Sequence, residues 1–116
     1  VTGLDGQTNG NAIIVMDETT DVVKVLANLL DFYDKESCGQ CTPCREGSGW
    51  VARLARRMAN GTARIEHLQT LERAARGIEG RTICAFGEAI AWPIGGFMRH
   101  FRDEFVERIE QQSATA

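Results

Sequence analysis

Cys38, Cys41 and Cys44 are separated from one another by two residues, and a fourth cysteine, Cys84, lies far downstream. These four are all the cysteines of the 116-residue chain. Two-residue gaps let one tight loop aim three thiolates at a common centre. A fourth thiolate can join them only if the fold carries a second turn, around residue 84, to the same place. The pattern therefore constrains the architecture before any helix or strand is assigned. Four thiolates are what the corners of a [4Fe–4S] cubane require. In compact ferredoxin runs the fourth cysteine serves a second cluster; here none remains, so one complete cluster is the most the chain can hold.

Zinc is the competing reading, because structural zinc also takes four cysteines. Its common form is two well-separated CxxC pairs, whereas the split here is three and one, which suits a cubane better. A structural zinc module stays as the alternative. Disulfides are the weaker rival, since a chain with a helical core of this size does not need them to fold. If each of four irons has a protein ligand, none is open to substrate. The chemistry is then electron transfer rather than Lewis-acid catalysis.

The hydrophobic pattern is helical almost throughout. Val22, Val25, Leu26, Leu29, Leu30 and Tyr33 recur at helical spacing. Thr19 or Thr20 is the expected N-cap, with Asp21 in the first turn. After a loop at 37–42, Thr42 is a second N-cap candidate and Pro43 suits the first helical position. Val51, Leu54, Ala55 and Met58 form the stripe of that second helix, and Asn60-Gly61 stops it. A third helix is expected over about 64–79, with Ile65, Leu68, Leu71, Ala75 and Ile78 inward and Gly80 ending it. The turn at 81–87 holds Cys84. A short helical piece to Trp92 follows, and Pro93 opens a last helix that buries Ile94, Phe97, Met98, Phe101, Phe105 and Ile109. The tail from Gln111 is expected to fray. The expected fold class is all-α: a four-helix bundle carrying one iron–sulfur cluster, with a radius of gyration of about 13 Å. Residues 1–18 read as a linker and a short strand (Ala12 to Met16) from a preceding domain, and residues 19–116 as the cluster-binding domain. With no initiator Met, the chain reads as a fragment or a processed form.

Composition excludes several function classes. The chain is 43% hydrophobic, 25% charged and formally −3, so it lacks the basic excess of a nucleic-acid binder. No apolar run approaches the roughly 18–20 residues of a membrane span, and no secretory signal is visible.

The stretch from Glu36 to Gly47, ESCGQCTPCREG, followed by Thr82-Ile83-Cys84-Ala85 and Ala91-Trp92-Pro93, resembles the C-terminal domain of the NADH-binding flavoprotein subunit of complex I, NADH:quinone oxidoreductase. It is also similar to the matching module of NAD-linked hydrogenase and formate dehydrogenase subunits. The resemblance runs from about residue 12 to residue 109. It implies an electron-relaying part of an oxidoreductase, with a [4Fe–4S] cluster on Cys38, Cys41, Cys44 and Cys84. That cluster takes single electrons from FMN reduced by NADH in an adjacent domain of the same subunit, and neighbouring iron–sulfur subunits receive them. The implied location is cytoplasmic, in the peripheral arm of a membrane-associated complex, without direct membrane insertion. The family's Gly-rich flavin and NADH segments have no match here, so NADH oxidation is not expected of this chain alone. Phe86 stands where the family often has Leu, in a turn that lies near the flavin; a buried core Phe is the plainer reading.

Other residues carry weaker signals. Arg45 and Arg81 flank cysteines and could offset cluster charge, although arginines more often pair with carboxylates. Trp50 and Trp92 read as core or interface anchors. His67 and His100 have no second ligand at metal spacing. Glu104, Glu107 and Glu110 read as an exposed stripe on the last helix.

Overall fold

The structure, a computed structural model, describes residues 14–115. Four helices account for nearly all of it: α1 (Val22–Glu36), α2 (Thr42–Asn60), α3 (Ile65–Ile78) and α4 (Phe86–Thr115). Helix α1 packs on α2 and α4, and α3 packs on the same two, while α1 and α3 occupy opposite corners. The radius of gyration is 13.7 Å, close to the expected value.

Leu26 and Leu30 of α1, Val51 and Met58 of α2, Leu68 and Leu71 of α3, and Ile90, Ile94 and Phe105 of α4 fill the centre, all but sealed from water. Apolar residues three and four apart put these side chains on one face of each helix, and removing that surface from water is what holds the bundle together. The inward stripes differ from expectation in detail. Val23 is buried while Leu29 and Tyr33 are half-exposed, and Ala74 is buried while Ile65 is 40% exposed.

The helix ends also correct the sequence reading. Asp21, not Thr19 or Thr20, caps α1: its carboxylate accepts from the backbone N–H groups of Val23 and Lys24. It also pairs with Arg108 of α4, a partner invisible in the local sequence. Thr19 instead donates to Asp17 through both its N–H and its hydroxyl. Cys41 is the N-cap of α2, Thr42 is its first helical residue, and Pro43 follows in the first turn. Gly61 ends α2 in the left-handed region (φ 87°), where a side chain would be strained.

Helix α4 does not begin at Pro93. It starts at Phe86 and runs through the proline, and its one non-helical residue is Phe101 (φ −125°, ψ 18°). Buried Ile90, Ala91 and Ile94 lie on either side of Pro93; that packing outweighs the local cost of the ring. Helix α4 extends past the expected end near Gln111 to Thr115, and Gln112 donates to the Met58 carbonyl of α2. Of the expected strand, Ala12 and Ile13 lie outside the described residues. Ile14 to Met16 form no strand; Ile14 and Met16 line a groove with Val25, Leu29 and Phe32 of α1 and Phe97 of α4.

Candidate metal centre

The loop between α1 and α2 is built outward from the end of α1. Ser37 caps that helix, its N–H bonded to the Tyr33 carbonyl at 3.0 Å. Gly39 then turns the chain with φ 77°. Arg45, reaching back from the first turns of α2, clamps this loop: its guanidinium donates to the Gly39 carbonyl (3.1 Å), to Thr42 Oγ1 (3.3 Å) and to Glu46 (3.3 Å). Cys38 projects from the loop, Cys41 is the N-cap of α2, and Cys44 sits one turn inside it.

Cys84 lies in the turn before α4. The Thr82 hydroxyl donates to the Cys84 carbonyl at 2.7 Å, and the Phe86 N–H approaches the Cys84 sulfur at 3.5 Å. Further back, Glu88 accepts from the Gly80 N–H and Glu79 accepts from the Trp92 indole. An aromatic contact ties the start of α4, beside this turn, to α1, which leads into the loop. Tyr33, near the end of α1, meets Phe86, the first residue of α4, edge to face with ring centroids 5.5 Å apart. Phe86 is half-buried and packs against the core rather than being buried in it.

Burial of the four thiols is graded. Cys44 is buried, Cys41 half-buried, and Cys38 and Cys84 exposed; none is in a disulfide. Burial pushes the Cys44 thiol up, the Ser37 hydroxyl 3.2 Å away draws it down, and the charges of Cys41, Cys38 and Cys84 push it up again. Cys44 thus lies near enough to the other three cysteines, at one end of the bundle, to feel their charge. Two helix N-termini converge there. Helix α2 has no side-chain cap, so its first N–H groups and its positive end face Cys41 and Cys44. Helix α4 opens beside Cys84. Both ends favour anionic sulfur.

Among the described residues no three His, Cys, Asp or Glu side chains converge tightly enough to hold a single metal ion. One tetrahedral zinc with Zn–S bonds of about 2.3 Å would need its sulfurs within about 4 Å of one another. A cubane places a separate iron at each thiolate and so spreads its ligands wider. The donor set, four thiols beside two positive helix ends, fits a four-iron cluster.

Other predicted residues stand elsewhere. Arg81 is exposed, and Trp92 is tied to Glu79. Trp50 is 47% exposed and so is no core anchor. His67 is half-buried, its Nδ1 accepting from the Arg64 N–H at the start of α3. His100, Glu104, Glu107 and Glu110 are exposed. Sequence reasoning missed Ser37. It also missed Ser48, a buried hydroxyl one turn beyond Cys44 that bonds Asp34 at 3.2 Å. Only the helical spacing of Ser48 from Cys44 could have pointed to it.

A helical bundle with four thiols beside two helix N-termini is a module suited to binding a metal cluster. Comparison with known proteins names the family. The profile described as the NADH-ubiquinone oxidoreductase-F iron-sulfur binding region matches residues 24–108, and the chain belongs to that family. The cofactor of such a region is an iron–sulfur cluster. An NADH-quinone oxidoreductase subunit of Rickettsia typhi is 56% identical over 98 residues, covering 84% of this chain and 23% of that protein. The mitochondrial NADH-ubiquinone oxidoreductase 51 kDa subunit of Aspergillus niger is 52% identical over 102 residues, covering 88% and 21%. Among solved structures, an NAD+-reducing [NiFe]-hydrogenase in its H2-reduced state superposes with a TM-score of 0.78 at 30% identity, covering 82% of this chain and 16% of that one. The chain therefore spans less than a quarter of the length of these relatives. No helix among the described residues is long and apolar enough to cross a membrane.

Proposed function

We propose that Cys38, Cys41, Cys44 and Cys84 hold one [4Fe–4S] cluster, and that residues 19–116 are the relay domain of an NADH-oxidising complex, with residues 1–18 linking it to a flavin domain. Bound there, the cluster supplies one-electron transfer between FMN reduced by NADH in the rest of the subunit and the clusters of neighbouring iron–sulfur subunits. The expected setting is the peripheral arm of a membrane-associated complex, on the cytoplasmic side. The single observation that carries this reading is that Cys84, from a remote turn at the start of α4, lies near enough to Cys44 in the loop-and-helix run to act on it electrostatically, beside the N-terminus of α2.

The chain's own residues do three things. The positive ends of α2 and α4 offset negative charge on the sulfurs. Arg45 clamps the loop that carries three cysteines, and the Tyr33–Phe86 contact ties the end of α1 to the start of α4 beside Cys84. Exposed Cys38 and Cys84 leave the site open towards partners, while Cys44 and the core behind it keep water from the inner side.

The test is Cys44→Ser in the intact complex, with iron, acid-labile sulfide and zinc measured after anaerobic purification and EPR recorded after dithionite reduction. The wild type should carry this cluster's iron and sulfide, and the variant should lose them together with one EPR signal and electron flow from NADH. A zinc ion at this site in place of iron and sulfide, in protein made with ample iron, would replace the relay reading with a structural zinc module. Unchanged cluster content in the variant would refute the ligand assignment.

A further inference from the structure

Ser37 is not a ligand in the proposed site, yet its hydroxyl oxygen lies 3.2 Å from the sulfur of Cys44. Cys44 is the most buried of the four cysteines. Resting on the reading of Cys44 as a cluster ligand, we infer that the Ser37 hydroxyl donates a hydrogen bond to the Cys44 thiolate and sets the reduction potential of the cluster.

Between two neutral groups either atom could donate. A thiolate that ligates iron has no proton, so the hydroxyl must be the donor. The geometry prepares it for that. The Gly39 N–H points at Ser37 Oγ from 3.3 Å, occupying one lone pair of the oxygen and polarising the O–H. The oxygen has little freedom, because the Ser37 N–H is fixed to the Tyr33 carbonyl at the end of α1. Gly39 in turn is held by Arg45 through its carbonyl and adopts a left-handed backbone (φ 77°) that favours glycine. The result is a relay of polarity from the Gly39 N–H through the Ser37 hydroxyl to the Cys44 sulfur, all in the loop that carries three of the four thiols.

Such a bond is strongest when the sulfur is most negative, which is the reduced state. Hydrogen bonds to the sulfurs and burial are among the factors that set these potentials. A donor on the inner, buried side faces less competition from water than one at Cys38 or Cys84. Removing it should make the cluster harder to reduce. Ser37 acts through Cys44 and is a positioning residue, not a catalytic one.

The experiment uses the intact complex of wild type, Ser37→Ala and Ser37→Thr. Iron and sulfide are assayed first, and the EPR signal that Cys44→Ser abolishes is then followed in a redox titration. With cluster content unchanged, Ser37→Ala should lower the reduced-to-oxidised ratio about tenfold at a given poise near the midpoint, a shift of about 59 mV to more negative potential for a one-electron couple. Ser37→Thr, which keeps the hydroxyl, should stay within about twofold of wild type. A loaded Ser37→Ala protein that titrates like wild type overturns the inference, as does an equal shift in Ala and Thr. If Ala assembles no cluster, the near-isosteric pair Ser37→Thr and Ser37→Val carries the comparison. Loading in Thr with a shifted or lost cluster in Val supports the hydroxyl contact, whereas equal behaviour in both overturns it. Absence of the cluster from wild type would refute the proposed function itself, a result distinct from all of these.

Discussion

Gly87 and Gly77 form a matched pair for testing how the Cys84 turn is built. Both lie in helices, and the backbone of neither requires a glycine. A Cβ on Gly77 would meet nothing within 4 Å, whereas a Cβ on Gly87 would come 2.6 Å from Thr82 Cγ2, 3.0 Å from Thr82 Cβ and closer still to Oγ1. Alanine is favoured over glycine in a helix interior by up to about 1 kcal/mol. Gly77→Ala should therefore stabilise the protein by up to roughly that amount. Gly87→Ala has a similar gain but must displace Thr82, an overpacking cost of about 1–3 kcal/mol. The Thr82 hydroxyl also holds the Cys84 carbonyl, so the disturbance reaches the turn that carries the fourth thiol. The two variants should differ by roughly 1–3 kcal/mol, which for a domain of this size separates their melting temperatures by at least about 4 °C. Melting followed by circular dichroism, with iron release to a chelator as a second readout, measures both. Adding Thr82→Ala should rescue Gly87→Ala beyond additivity, by more than the roughly 0.5 kcal/mol scatter of independent sites. Equal melting temperatures for the two glycine variants, or strict additivity with Thr82→Ala, would refute the steric account of the turn.

Tyr33→Leu keeps an apolar side chain on α1 but removes the edge-to-face contact with Phe86, an effect of about 0.5–1.5 kcal/mol; it should speed iron loss to a chelator more than it lowers the melting temperature, because the contact ties the end of α1 to the start of α4 beside Cys84. The Asp21 carboxyl is pushed up by burial, but the Arg108 hydrogen bond, the Lys24 and Val23 N–H groups and the Arg108 charge outweigh that and hold it below its ordinary value. Its contribution is accordingly present at neutral pH and lost as pH falls through that depressed value. Stability against pH should show an acid loss that is smaller in Asp21→Ala, which at neutral pH should already be weaker by about 1 kcal/mol for the lost cap, the half-exposed pair itself adding little.

Local chemistry accounts for what could be read from the sequence. Apolar residues at helical spacing, Gly61 and Gly80, and an acidic or hydroxyl residue before Val22 were enough to place four helices and most of their ends. The CxxCxxC run marked the site and required the turn at residue 84 to come to it. The detailed ESCGQCTPCREG match carried the family, which the comparisons confirm.

Other features depended on residues distant in the chain. Three polar residues stand before α1, and Arg108 on α4 selects Asp21 among them as the cap. Pro93 reads locally as a helix start, but burial of Ile90, Ala91 and Ile94 keeps the helix whole across it and leaves the irregularity at Phe101. The Ser37–Cys44 contact needs a helix end, a left-handed glycine and an arginine clamp to be in place together. The sequence by itself determined which groups could do chemistry and the period on which they were strung, because both are properties of neighbouring residues. Tertiary structure alone decided which of those groups touch, because burial and long-range partners shift the balance between local choices that differ by only about a kilocalorie.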